Sequence, residues 1–225
     1  MRHRVPTRLV LLAAVWLAVS AQRSPVTYYV ATTGNNANSG TTIGSPFRTL
    51  NYAVSQLVAG DTLLVRGGTY AESLLNVIPS GTSWSNLVRI KNYPSETVWM
   101  QPSSGNWVIY FDGTTSYIEI DGININGTSI GDASVFFDDR TGGTPNHIRF
   151  KNLEVSHRMG IGNTNAAVAV GGNNNEFLYM TVHGTGGPYG FYLLGENLLV
   201  DHCDIYGTSL AGILVIILNA MFGTF

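Results

Sequence analysis

The sequence IEIDGINI at residues 118–125 decides the fold, because the chain repeats its pattern three more times. IRFKNLEV stands at residues 148–155, NEFLYMTV at residues 175–182 and LLVDHCDI at residues 198–205, at spacings of 30, 27 and 23 residues. Apolar side chains, with one asparagine among them, occupy the first, third, sixth and eighth positions of each copy. Alternation indicates a strand, and the two-residue skip in the middle predicts a bend between two short strands.

A third short strand precedes each copy. Its predicted inward pairs are Val108/Tyr110, Val135/Phe137, Val168/Val170, Phe191/Leu193 and, after the fourth copy, Ile213/Val215. A repeat of this length points to a solenoid, propeller or array. Leucine-rich repeats would need a helix or a Leu/Asn signature in each unit, and propeller blades would be longer, with four strands. The sequence therefore predicts an all-β fold, a parallel β-helix whose strands pair with their equivalents about 4.8 Å along the coil.

Motifs nearer the N-terminus indicate a family. They are YYV at residues 28–30, SPFRTL at residues 45–50, GDT at residues 60–62 and VRGGTY at residues 65–70. This series resembles the opening of right-handed parallel β-helix proteins of the pectate-lyase-like superfamily, and with the repeats the resemblance covers nearly all of the mature chain. It implies a right-handed coil and export from the cell. Because that superfamily includes polysaccharide lyases and many proteins of unknown activity, the resemblance specifies a fold more closely than an activity.

The first 21 residues have the three regions of a secretory signal peptide. Three arginines lie between residues 2 and 8, an apolar run covers residues 9–19, and VSA at residues 19–21 provides a cleavage site. The run is too short to span a bilayer, although an N-terminal membrane anchor is the alternative. Cleavage leaves residues 22–225 as a single β-helix domain, secreted or periplasmic and not attached to a membrane.

The charge of the mature chain bears on its partners. Nine basic residues stand against fourteen acidic ones, a net charge of −5. A polyanion-binding surface would need a local basic patch, and the sequence shows none, so nucleic acid is not expected as a partner. The single cysteine, Cys203, lies at an inward position of the fourth repeat, which predicts a buried thiol rather than a disulfide.

A capping helix is expected at the N-terminal end of the coil. Ser45 and Pro46 are typical of an N-cap followed by the first helical position. The helix would end near Gly60, with one apolar face formed by Phe47, Leu50, Val54 and Leu57. Because the first coil leaves unpaired backbone and apolar side chains, this helix has a structural role. Asp61, in the following turn, is expected to accept backbone N–H groups.

Stacked repeats place side chains in columns along the coil. The outward column Glu119, Arg149, Glu176 alternates in sign and predicts a solvent-facing ion ladder, and Lys151 stacks over Asp121 as a further pair. A corner column reads Asn126, Ser156, His183, Tyr206. His183 is interpreted there as a hydrogen-bonding corner residue rather than a catalytic base.

The strand that begins at Trp107 has a different outward face. Its predicted outward positions are Ile109, Phe111, Phe136, Asp138, Ala169, Tyr192 and Leu194. The C–H faces of pyranose rings are apolar, so Phe136 and Tyr192 are candidate sugar-stacking residues. The alternative is that a loop covers this face.

Three carboxylates lie at the end of the same strand. Asp112 and Asp139 are expected at equivalent positions on successive turns, with Asp138 adjacent. Carboxylates this close repel one another unless a cation, an arginine or a proton intervenes. Ca²⁺ is the natural extracellular candidate as a cofactor, because it takes several oxygen ligands. Arg140 is the alternative neutralising group.

Two polysaccharide-cleaving chemistries make different demands on these residues. The resemblance implies eliminative cleavage of a uronate polymer, with Ca²⁺ on the substrate carboxylate and an arginine or lysine base on the outer face of the coil. Basic residues in the regular region are Arg140, Arg149, Lys151 and Arg158, and none carries a recognisable lyase signature. Glycoside hydrolysis needs two placed carboxylates. Asp138-Asp139 superficially resembles the aspartate pair of polygalacturonases, but the other motifs of that family are absent, so that assignment is rejected.

The sequence therefore predicts a secreted carbohydrate-active β-helix protein that binds or acts on an acidic polysaccharide, with lyase as the leading activity. The alternative is a non-catalytic binding or adhesion module. After residue 215 the chain ends on IILNAMFGTF without a capping helix or closing polar strand, which predicts a coil that is incomplete at the C-terminus. An uncharged β-branched edge of this kind predicts self-association through the open coil.

Overall fold

The computed structural model of the protein describes residues 23–158, 166–184, 187–215 and 219–222. Within these residues lie a short helix, α1 (Leu50–Val54), and twenty strands. The strands are β1 (Thr27–Val30), β2 (Thr62–Val65), β3 (Gly68–Tyr70), β4 (Leu74–Leu75), β5 (Val88–Asn92), β6 (Val98–Met100), β7 (Trp107–Asp112), β8 (Ser116–Asp121), β9 (Ile123–Gly127), β10 (Ala133–Asp138), β11 (Asn146–Lys151), β12 (Glu154–His157), β13 (Ala166–Gly171), β14 (Glu176–Leu178), β15 (Thr181–Gly184), β16 (Tyr189–Leu194), β17 (Glu196–Asp201), β18 (Asp204–Tyr206), β19 (Ala211–Val215) and β20 (Asn219–Phe222).

The strands form three parallel sheets, and the chain visits the sheets in turn. Sheet A has the order β1-β2-β5-β8-β11-β14-β17-β20, sheet B the order β3-β6-β9-β12-β15-β18, and sheet C the order β4-β7-β10-β13-β16-β19. Each strand therefore pairs with the equivalent strand of the turns before and after it. This arrangement confirms the predicted parallel β-helix.

The repeated pattern marks the passage from sheet A to sheet B. Ile118 pairs with Ile148 in sheet A, and Ile125 pairs with Val155 in sheet B, as the repeat predicts. The residue at the bend has a positive φ in every copy: Gly122 (+69°), Asn152 (+55°), Tyr179 (+53°) and His202 (+52°). A left-handed residue reverses the alternation of side chains, so both strands direct their apolar side chains inward.

Inward side chains of the three sheets meet in one core that continues along the coil. Five fully buried phenylalanines run through it: Phe111, Phe137, Phe150, Phe177 and Phe191. The ring centroids of Phe111 and Phe137 are 5.1 Å apart, and those of Phe177 and Phe191 are 5.3 Å apart. Such contacts are favourable by roughly 1 kcal/mol each beyond the buried area. Cys203 is buried as predicted, and burial raises the pKa of its thiol.

The first turn of sheet C corrects one prediction. Ile109 and Phe111 were expected to face outward, but both are fully buried, and Tyr110 lies outward instead. Val108 and Ile109 both pack inward at the corner where the chain enters the sheet, and this shifts the alternation by one residue. The predicted inward pairs of the later turns, from Val135/Phe137 to Ile213/Val215, are confirmed.

The N-terminal helix is shorter than predicted and begins later. Its N-cap is Thr49 rather than Ser45, and Phe47 forms a bridge to Val30 of β1. The carboxylate of Glu72 accepts the N–H groups of Leu50 (2.9 Å) and Asn51 (3.0 Å). A residue more than twenty positions away thus caps this helix, where local propensity pointed to Ser45. The predicted apolar residues are nevertheless buried in the core.

The predicted ion ladder is present on the outward side of sheet A and is larger than expected. Its members are Arg89, Lys91, Glu119, Asp121, Arg149, Lys151 and Glu176. Glu119 lies 2.7 Å from Arg89, 3.1 Å from Lys151 and 3.2 Å from Arg149 and is only 2% exposed, so it is covered by cations rather than solvent-facing. Burial opposes its ionisation, but hydrogen bonds from these cations prevail and the pKa of the Glu119 carboxyl is lowered.

Asp61 and His183 have the structural roles that were predicted for them. Asp61 is fully buried, accepts the N–H groups of Val26 (2.8 Å) and Val58 (2.9 Å), and pairs with Arg23. His183 contacts Glu154 at 2.8 Å and belongs to the predicted corner column. Both residues therefore belong to the scaffold.

The two ends of the chain leave several predictions untested. The predicted signal peptide at residues 1–21 lies outside the described residues, and secretion stays a prediction. At the other end β20 pairs with β17 in sheet A. An incomplete domain and self-association through that end also stay predictions. Within the described part of the chain, no helix is long and apolar enough to cross a membrane.

Candidate functional site

The outward side of sheet C carries Phe136, Tyr192, Asp112 and Asp138, four of the five site residues that the sequence predicts. We call this surface the sheet C face. Its first row is Trp107, Ala133, Ala166, Tyr189 and Ala211; its second is Tyr110, Phe136, Ala169, Tyr192 and Leu214; its third is Asp112, Asp138, Gly171 and Leu194. Aromatic residues therefore lie on β7, β10 and β16, and small residues lie on the intervening β13.

Aromatic rings on β7 and β10 form one stacked group. The centroids of Trp107 and Tyr110 are 4.6 Å apart, and Phe136 lies 5.7 Å from Trp107 at an interplanar angle of 8°. Phe136 is only 7% exposed, because these rings and the Arg140 guanidinium, 5.4 Å from its centroid, cover it. Phe136 is therefore the buried member of the stacked group. The half-buried rings of Trp107 and Tyr110 are the ones that a ligand can contact.

Tyr192 lies on the other side of the small residues. It is half-buried beside Tyr189, with the two ring centroids 6.2 Å apart. The predicted stacking residues Phe136 and Tyr192 therefore do lie on one face, separated by Ala169 of β13. The sequence analysis did not predict that Trp107 and Tyr110 lie on this face. The one-residue shift in β7 is the reason, because regular alternation assigned Tyr110 to the inward side.

A charged group adjoins the stacked rings. Arg140 donates to Asp138 through Nε at 2.7 Å and through Nη2 at 2.9 Å, and Tyr110 donates to the same carboxylate at 3.2 Å. The hydrogen bonds of Arg140 lower the pKa of Asp138, and they correspondingly raise the pKa of Arg140. Burial, with the Asp138 charge, raises the pKa of Tyr110 to about 12. The side chain of Arg140 remains 71% exposed.

The predicted carboxylate cluster is arranged differently. Asp112 is level with Asp138, not with Asp139 as the sequence suggested, because the β7 and β10 strands pair in that register. Asp139 lies beyond the end of β10, beside Gly171 of β13. In the described part of the chain no group of three or more histidine, cysteine or acidic side chains is placed to hold a metal ion. Calcium binding would require the Asp138–Arg140 pair to open, and it stays a prediction.

The candidate bases differ in their surroundings. Arg149 and Lys151 lie in the ion ladder of sheet A, each within 3.2 Å of Glu119, and not on the sheet C face. Arg158 is exposed just after β12. Arg140 lies next to the sheet C face, but its raised pKa makes it a poor base and a good partner for an anion.

One buried polar pair escaped the sequence analysis. Ser134 Oγ lies 3.2 Å from His157 Nδ1 and also donates to the carbonyl of Ser156 at 3.0 Å. Ser134 and His157 are 0% and 3% exposed, and burial lowers the pKa of His157 to about 4 although Asp132 opposes the shift. An uncharged histidine therefore fills the corner between sheets B and C, which is a packing role.

Comparison with known proteins now places the chain in a family. The family model for the Pel9A-like right-handed β-helix region matches residues 28–210. The chain belongs to this Pel9A-like family. The match covers more than half of the chain, and it agrees with the resemblance drawn from the sequence motifs and with the parallel coil.

Solved structures with the same Pel9A-like coil show how far the likeness extends. The crystal structure of pectate lyase Pel9A has a TM-score of 0.64 at 17% identity, covering 87% of this chain and 53% of that one. XylC in complex with xylose has a TM-score of 0.66 at 12% identity, covering 84% of this chain and 56% of that one. At these identities the likeness concerns the fold, and this chain spans about half the length of either protein.

A relative is also found by sequence. The uncharacterized protein YwoF of Bacillus subtilis (strain 168) is 35% identical over 136 residues, which cover 56% of this chain and 28% of YwoF. This chain therefore spans less than a third of the length of that relative.

Proposed function

We propose that the protein binds an acidic polysaccharide along the sheet C face and that eliminative cleavage is its leading activity. The observation that carries this proposal is the juxtaposition of half-buried aromatic rings with an exposed guanidinium, formed by Trp107, Tyr110 and Arg140. Pyranose rings stack on aromatic rings through their apolar C–H faces. A guanidinium binds a carboxylate through paired hydrogen bonds.

Arg140 is suited to hold the carboxylate of a uronate residue. A guanidinium has five N–H donors, and Asp138 takes those of Nε and one of Nη2. Donors therefore remain for a second carboxylate on the exposed side. Because Arg140 stays protonated, it would neutralise the substrate carboxylate and so lower the pKa of the neighbouring C–H group. Membership of a family named after Pel9A, itself a pectate lyase, supports the same substrate class.

A non-catalytic binding module is the second candidate. The observation that favours it is the ion pairing of the candidate bases: Arg140, Arg149 and Lys151 each contact a carboxylate within 3.2 Å. The raised pKa of Arg140 and of Arg149 keeps both guanidinium groups charged, whereas a base must give up its proton before it acts. A rigid coil with an aromatic face would bind a glycan without cleaving it.

One experiment separates these functions. The protein is incubated with polygalacturonate or alginate, with and without Ca²⁺, while the absorbance of unsaturated uronate ends is followed and binding is measured by titration calorimetry. Product formation is the expected result for the leading activity. Saturable binding without product would assign the binding module. Neither binding nor product on any acidic polymer would contradict both.

A further inference from the structure

A groove of about 220 Å³ lies on sheet A and is separate from the sheet C face. Its lining residues are Trp84, His147, Asn174, Glu176, Asn197 and Leu199. They come from the loop between β4 and β5 and from the starts of β11, β14 and β17. This volume lies below the range of about 300–1,000 Å³ typical of sites for drug-sized ligands, which favours a smaller group such as one sugar ring.

The groove lies on a row of residues in one backbone conformation, of which His147, Asn174 and Asn197 line it and Tyr117 is the neighbour of His147. Tyr117, His147, Asn174 and Asn197 occupy the same place on four successive turns, with φ between +53° and +55°. The row consists of two contacting pairs: the rings of Tyr117 and His147 stack at 4.6 Å, and Asn197 Nδ2 donates to the side-chain oxygen Oδ1 of Asn174 at 3.2 Å. It therefore offers an apolar ring surface next to side-chain amides.

Trp84 is fixed over this row by several contacts. Its ring makes edge contacts with Tyr117 at 6.0 Å and with His147 at 5.9 Å. The Arg149 guanidinium lies 4.4 Å from its centroid, and Arg149 is itself held by Glu176 at 2.6 Å. A loop residue thus has its ring oriented by sheet A before any ligand arrives, which lowers the entropic cost of binding.

We propose that this groove is a second carbohydrate site, one that takes a single neutral pyranose residue. Trp84 provides the stacking surface, the Asn174 and Asn197 amides provide donors and acceptors, and Glu176 accepts from hydroxyl groups. A uronate is disfavoured because Glu176 lines the groove and the charge of Arg149 is already shared between Glu176 and Glu119. The site does not depend on the function proposed for the sheet C face.

The test follows the indole N–H resonance of Trp84 during titration with methyl glucoside, methyl galactoside and methyl xyloside. At least one is expected to shift it saturably, with an affinity on the order of millimolar. Trp84→Ala should weaken binding at least tenfold, measured by calorimetry. Asn174→Asp tolerates the left-handed backbone but removes the amide donors, and it should weaken binding about fivefold or more.

Tyr206→Ala removes an exposed ring on sheet B, is the matched control and should leave the affinity of the groove unchanged. The far-ultraviolet spectrum of Asn174→Asp shows whether the fold is kept, so the test does not depend on the Trp84 variant alone. Absence of a saturable shift with all three glycosides would overturn the proposal. Undiminished binding by folded Asn174→Asp, or a preference for galacturonate over the neutral sugars, would also overturn it.

Discussion

Asp138 is the residue on which the predicted metal site depends. It is engaged by Arg140 and Tyr110, so Ca²⁺ must compete with both. If Asp112, Asp138 and Asp139 do bind calcium, the ion stabilises the folded state by about 2.7 kcal/mol at a hundredfold excess over its dissociation constant. The melting temperature should then rise in calcium, and Asp139→Asn should abolish the rise. Identical melting curves in calcium and in chelator would contradict calcium binding. Arg140 would then be the group that neutralises the Asp138 carboxylate.

His157 makes the stability of the coil depend on pH. Its folded-state pKa of about 4 lies below the ordinary value of 6.5, because burial disfavours the charged ring. The folded protein thus binds this proton less readily than the unfolded chain, and stability present above pH 6.5 is lost as the pH falls toward 4. The loss reaches up to about 3 kcal/mol.

Urea unfolding at pH 7 and pH 4.5 measures this dependence. His157→Gln should be less stable than the wild type at pH 7 and should lose less stability between the two pH values. If the variant loses as much stability between pH 7 and pH 4.5 as the wild type does, groups other than His157 cause the acid sensitivity.

The bend between sheets A and B is the element that repeats most regularly. Gly122 has φ +69°, and a Cβ built there would lie 2.3 Å from the side-chain oxygen of Asn92. Gly122→Ala should therefore destabilise the protein by roughly 1–3 kcal/mol through backbone strain and crowding. Gly44→Ala is the control, because a Cβ there meets nothing within 4 Å, and it should change the urea midpoint little. Equal midpoints for the two variants would contradict this account of the bend.

Elements fixed by local pattern were predictable. The repeat located the two strands and the bend of each turn because inward side chains must alternate, and the same logic placed Glu119 beside Arg149. The helix was misplaced because Glu72, distant in sequence, caps it and no local signal shows this. The one-residue shift at Val108 and Ile109 was likewise invisible, since apolar residues continue through Phe111 and fit either face.

On the scale of the whole molecule, the coil sets which residues become neighbours. Phe136 and Tyr192, 56 positions apart, lie on one face because both occupy the second row of sheet C. Aligning the sequence repeats as successive turns of the coil was sufficient to predict that these two residues share a face. The Trp84 groove was not predictable, because Trp84 belongs to an irregular loop whose position over sheet A depends on contacts with Tyr117, His147 and Arg149.

Binding of polygalacturonate by single-residue variants tests the central proposal, that the sheet C face binds a polysaccharide, most directly. Loss of a stacking ring worth about 1.4 kcal/mol weakens binding tenfold, so Trp107→Ala and Tyr192→Ala should each lower the affinity by about that factor. Tyr206→Ala removes a tyrosine that is 56% exposed on sheet B and serves as the control, with unchanged affinity expected. Wild-type affinity in both Trp107→Ala and Tyr192→Ala would contradict the account.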